Sequence, residues 1–260
     1  GGSGWAGWAG ILALGGAAGS PATAAELRVG SGCVYATIAD AVAQAVANGT
    51  ASDLILVKAS PAQTIAAPIN IDLNVAGTVE IVGGFGTCTD PLPIAGLRTT
   101  VSLNSPSAFT IQNAGASTRT FTLQQVALIA GVGSGRLVDV SGRVFVNVDD
   151  VLLSAGKAND GGNVRMAGPN VTLFITGGAT IYSGDATNNG GGVHCSGGGS
   201  VLLDDGGISD NDADVAGGGI ADPGGLDVVA DLAQHAPQRI AAEHRVSRRR
   251  TAATYNARRS

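Results

Sequence analysis

Residues 161–220, "GGNVRMAGPNVTLFITGGATIYSGDATNNGGGVHCSGGGSVLLDDGGISDNDADVAGGGI", repeat themselves. "GGNV" at Gly161 to Val164 returns as "GGGV" at Gly190 to Val193, 29 residues on, and as "GGGI" at Gly217 to Ile220, 27 further. Between these marks, "VTLFITGGATI" from Val171 matches "VLLDDGGISDN" from Val201. Upstream, "FTLQQVALIAG" from Phe121 matches "VFVNVDDVLLSAG" from Val144, about 23 residues later. Self-similarity at this spacing is the mark of a solenoid, and β-only units of this size point to a β-helix.

The rest of the chain reads the same way. From Asp53 onward short segments such as "LILVKA", "INIDLNVAG", "VEIVGGFG", "TVSLN", "FTIQN" and "RLVDVSG" alternate apolar and polar residues and end in Gly, Asn, Asp or Ser. Strands this short, with almost no helix between them, exclude a doubly wound α/β sheet. The 41 glycines follow no Gly-X-Y period, which excludes collagen, and a 13 % charged fraction is far from that of a disordered tail. Val171, Leu173, Ile175, Val201 and Leu203 are expected to face inward as ladders, with Gly or Asn at the bends, where positive φ or close approach is needed. One helix is expected: Thr37 and Asp40 form an N-cap pair, Ile38, Val42 and Val46 share a face, and Gly49 stops the run. Such a helix can close the open end of a stack.

Both ends differ from the middle. Trp5 to Ala18 is apolar but too short to span a bilayer comfortably, and Ala22-Thr23-Ala24 has the small-x-small pattern of a signal-peptidase site. Residues 1–25 therefore read as the remnant of a secretory signal, with a flexible arm as the alternative. The first 225 residues carry 8 basic and 17 acidic side chains, whereas 226–260 carry 7 Arg against Asp227, Asp231 and Glu243, and no glycine. The 226–260 tail, which holds His235 and His244, reads as a frame change or a solvated natural tail. Nucleic-acid binding through it is not expected. In an oxidising compartment Cys33 and Cys88 can pair, leaving Cys195 over; three reduced, buried thiols are the alternative.

"VGSGCVYATIADAV" and "VEIVGGFGTCTD" carry a resemblance. They are similar to the N-terminal cap helix and to the first full coil, with its cysteine-bearing loop, of secreted right-handed parallel β-helix proteins of the pectin-lyase-like superfamily, especially bacterial members without assigned activity. The resemblance covers about residues 27–222, and the repeats from Gly161 resemble those of polymorphic outer-membrane and autotransporter-type surface proteins. It implies a single-stranded right-handed parallel β-helix over residues 26–225 with an N-terminal capping helix, secreted or held at a cell surface. It also implies two functional classes: a non-catalytic face for adhesion or glycan contact, or a polysaccharide lyase or hydrolase using Asp clusters, sometimes Ca²⁺, and an Arg or Lys base.

The residues favour the first class. Asp149-Asp150 and Asp204-Asp205, with Lys157 and Arg165 as nearest bases, cannot work side by side within a strand and read as bend carboxylates. Asp210, Asp212 and Asp214 begin like a calcium loop, but Val215 and Ala221 stand where that loop needs Gly and Glu. His194-Cys195 would point to opposite faces of a strand, which removes a Cys/His nucleophile. There is no GxSxG frame, P-loop, complete GxGxxG or HExxH. No catalytic residue, metal ligand or cofactor is therefore assigned. The expected partner is a polysaccharide or a cell surface, and no transmembrane span is expected.

Overall fold

The computed structural model describes residues 25–49, 52–222 and 227–230. The signal-like segment and nearly all of the basic tail lie outside the described residues. The chain winds as an all-parallel β-solenoid, each coil adding one strand to each of three sheets. The long sheet runs over eight strands from Glu26–Val29 to Asp227–Ala230. The second runs over six, from Gln63–Ile65 to Gly207–Ser209, and the third over six, from Ile69–Asp72 to Ile220–Ala221. A short fourth sheet, Lys157–Asp160, Asp185–Asn189 and Asp212–Ala213, is inserted between the second and third in the later coils. Strand Asp227–Ala230 pairs with Ser200–Leu203, so the long sheet runs past Gly225.

Alternation decides what goes inside. Along the long sheet Leu27, Ile55, Ile81, Leu123, Val148, Ile175 and Leu203 stack in register, beside Val79, Phe121, Val146, Leu173 and Val201. These side chains belong to one core cluster, with Leu203 partly buried. Each fully buried aliphatic side chain contributes roughly 1.5–3 kcal/mol, and Phe109 and Phe121 meet inside with centroids 5.8 Å apart.

The glycine marks stack as their spacing predicts. Val164, Val193 and Ile220 are partners, and the N–H groups of Gly161, Gly162, Asn163 and Val164 donate to Asn189, Gly190, Gly191 and Gly192. Gly161, Gly190 and Gly217 all have φ between +62° and +65°, a conformation an L side chain enters only at a cost.

Four expectations need correction. Val201 pairs with Leu173, not Val171, and Val146, not Val144, pairs with Phe121. Both errors are slips of two residues, and a period of two leaves even slips without a trace in the pattern. "INIDLNVAG" is strand Ile69–Asp72 followed by a one-turn helix, Leu73–Ala76, because the Asp72 side chain accepts the Asn74 N–H and starts a turn. The bends are not confined to Gly and Asn. Gln125, Asp150 and Asp205 after long-sheet strands, and Ala155, Ser183 and Asp210 after second-sheet strands, all have positive φ.

The helix α1, Ile38–Asn48, packs against the first coil. Thr37 Oγ1 accepts the Asp40 N–H at 3.2 Å. The buried face is Ile38, Ala41, Val42 and Ala45, wider than the valine stripe alone because alanines complete it.

Candidate functional site

The predicted acids are taken up by structure. Asp150 sits at a bend with φ of 50° and accepts from Arg98 Nε at 2.9 Å and Nη2 at 2.5 Å. Asp149, at the end of its strand, accepts from Gln124 Nε2 at 2.9 Å. Lys157 pairs instead with Asp185 at 2.9 Å, and Arg165 with Asp139, so neither meets the Asp149-Asp150 pair. Asp204 and Asp205 lie in the turn between Ser200–Leu203 and Gly207–Ser209. Asp210 occupies a bend, and Asp212 stacks on Asp185 and accepts the Ala213 N–H. Among the described residues no three His, Cys, Asp or Glu side chains are grouped to hold a metal ion.

Cys33 and Cys88 are bonded, with Cα atoms 5.4 Å apart. Their bond ties down the segment 86–98, which folds back over the outer face of the long sheet. Ile94 N–H donates to the Gly84 carbonyl, and Arg28 stacks over Phe85 while donating to the Asp90 carbonyl. Asp90 holds the segment from within, accepting the Gly86 and Thr87 N–H groups and the Thr87 hydroxyl. The Thr87 bonds hold its carboxyl below the usual carboxylate range. Leu56, Val82 and Phe85, which point outward, are thereby buried as a small cluster of their own.

His194 and Cys195 point to opposite faces, as alternation requires. Cys195 is buried in the core against Met166, and burial pushes its thiol up to about 12, so it is an inert thiol. His194 is on the outer side of the third sheet, in a row with Asp139 and Arg165. Asp139 accepts two bonds from Arg165, at 3.0 and 2.9 Å, and one from Arg136 at 2.9 Å. Arg136 is further committed to the carbonyls of Gly161 and Asp160. Burial holds His194 below its ordinary pKa, Asp160 and Asp222 opposing this and Arg136 and Arg165 adding to it. Asp139 already holds both guanidinium groups, while His194 Nδ1 is buried without a hydrogen-bond partner.

The outer face of the long sheet differs beyond the covered coils. Thr120, Phe145, Thr172 and Ser200 form one outward row; Thr122, Asn147, Phe174 and Leu202 form the next. These eight positions are uncharged, and the rows run on to Glu80 beyond Thr122 and to Asp227 beyond Ser200. Phe145 and Phe174 are diagonal neighbours, with centroids 6.2 Å apart and planes at 44°. Asn147 stands directly opposite Phe174, and its Oδ1 has no hydrogen-bond partner. Sequence reading missed this pair, although the alternation of "VFVNVD" and "VTLFIT" puts both rings on the outside.

No family model, curated protein or solved structure matches this chain. Among the described residues no helix is long and apolar enough to cross a membrane.

Proposed function

We propose that this β-solenoid is a secreted or cell-surface protein without catalytic activity, which presents the outer face of its long sheet to a glycan. The observation that carries the reading is the pair of outward rings, Phe145 and Phe174, set among Thr120, Thr122, Asn147, Thr172 and Ser200. The negative face of an aromatic ring favours the C–H face of a pyranose, and hydroxyl and amide groups beside it can reach the equatorial hydroxyls. The same sheet's outward apolar side chains in the first coils are covered by the chain's own disulfide-tied segment. Export is supported by the Cys33–Cys88 bond, which persists in oxidising compartments.

The test is binding to immobilised neutral and acidic polysaccharides, with product release followed in parallel. Phe145→Ala and Phe174→Ala should each weaken neutral-glycan binding about tenfold, the ~1.4 kcal/mol expected of an aromatic anchor, with the β spectrum unchanged. Binding indifferent to both changes would refute the assigned face. Release of unsaturated or reducing ends that stops in Asp149→Asn would instead establish the lyase or hydrolase class.

A further inference from the structure

Two segments of the chain have the form Asn-x-Ser/Thr with x other than proline: Asn48-Gly49-Thr50 and Asn170-Val171-Thr172. This is the acceptor pattern for an N-linked sugar in exported proteins, and the bulk of the sugar demands an open surface. The fold treats the two differently. Asn48 ends α1 half-buried with both ends of its amide engaged: Oδ1 accepts from Gln44 Nε2 at 2.8 Å, and Nδ2 donates to Asp53 Oδ1 at 3.0 Å. Asp53 is 2 % exposed, so a sugar on that nitrogen would have to enter the junction between α1 and strand Ser52–Lys58. Asn170 is exposed at the corner between strands Val164–Ala167 and Val171–Thr176. Its carbonyl accepts the Val144 N–H at 3.2 Å, which fixes the backbone, while its side-chain amide bonds to no described residue. The corner has room, since nothing lies within 4 Å of a Cβ built at Gly168. Val171 is buried in the core, and Thr172 is outward with its hydroxyl unbonded among the described residues.

We infer that Asn170, and not Asn48, is the acceptor of an N-linked oligosaccharide, an inference that rests on the export reading above. The donor is an oligosaccharide held on a lipid diphosphate, and the catalyst is a membrane transferase of the secretory pathway. Asn170 Nδ2 attacks the anomeric carbon of the donor. The C–N bond forms, the anomeric C–O bond breaks, the lipid diphosphate leaves, and one amide proton passes to the transferase. The Thr172 hydroxyl, free in the fold, completes the pattern that the transferase reads. Thr172 is the register partner of Phe145, so the sugar borders the row that holds that ring.

The full chain is made in insect cells behind an added cleavable signal, and both secreted and retained chains are analysed. Occupancy is read by peptide mass after an amidase converts each sugar-bearing asparagine to aspartate. A single sugar is expected, at Asn170. Asn170→Gln and Thr172→Val should each remove it, Thr172→Ser should keep it at reduced occupancy, and Asn48→Gln should leave it unchanged. An unchanged β spectrum in Asn170→Gln separates loss of the acceptor from loss of the fold. A native chain without sugar at Asn170, or one carrying sugar at Asn48, overturns the inference. Export is scored separately, by fractionating the cells that make the native protein: retention inside them refutes the export reading, whereas sugar at Asn170 in insect cells still establishes the acceptor.

Discussion

Replacing Gly191 by alanine is the sharpest test of the stacked-coil geometry. A Cβ built at Gly191 lies 2.0 Å from the Asp212 carbonyl oxygen and 2.6 Å from the Asp212 nitrogen, both backbone atoms of the next coil. Ordinary contact begins near 3.4 Å, so Asp212 must move by more than 1 Å, against the parallel ladder that pairs it with Asp185. Overpacking of this kind costs about 1–3 kcal/mol, and with backbone as the clashing group we expect about 3 kcal/mol. Two other glycines calibrate the number. Gly178 has φ of +74° but open space around its Cβ, so Gly178→Ala should cost only the left-handed strain, about 1 kcal/mol. Gly207 has open space and ordinary φ, so Gly207→Ala should be neutral or stabilising by about 0.5 kcal/mol. Thermal unfolding should therefore order the variants Gly207→Ala, Gly178→Ala, Gly191→Ala, the last about 6–12 °C below the native chain. A Gly191→Ala midpoint within about 2 °C of Gly207→Ala would refute the register of the short sheet against the glycine stack.

Removing the Cys33–Cys88 bond with serine at both positions should cost up to about 4 kcal/mol in the chain-entropy model, given a separation of 55 residues; a midpoint equal to that of the oxidised protein would show that segment 86–98 stays in place without it. His194 is held below its ordinary pKa when folded, mainly by burial, so the unfolded chain takes up the proton first as pH falls. The stability contributed by neutral His194 is then complete above about pH 6.5 and declines as pH falls below it; urea midpoints at pH 7.5 and 5.5 should converge in His194→Gln relative to the native chain, and an unchanged pH slope would contradict this.

What was legible in the sequence follows the kind of signal each feature leaves. The stacking of Val164, Val193 and Ile220 was readable because glycine marks are rare events that fix a register. The pairing of Leu173 with Val201 was not, because alternation fixes only the face. Asp149 and Asp150 read alike as bend carboxylates, whereas Asp149 ends its strand and Asp150 takes the bend, with its Arg98 partner 52 residues away, two coils back. The two outward, half-buried rings were readable in principle from strand parity alone.

The glycine stack also makes the length of this rod an independent variable. Because Asn163 lies over Gly192 just as Val164 lies over Val193, excising residues 164–192 would join Asn163 to Val193 with every inward and outward position preserved. The molecule would shorten by one strand spacing, about 4.8 Å, and lose the outward ring of Phe174 on strand Val171–Thr176 without a change of architecture. Insertion of the same unit would extend it by as much. Reach and surface chemistry can thus be altered by gain or loss of whole coils, a route to variation that a closed sandwich or barrel of equal size does not have.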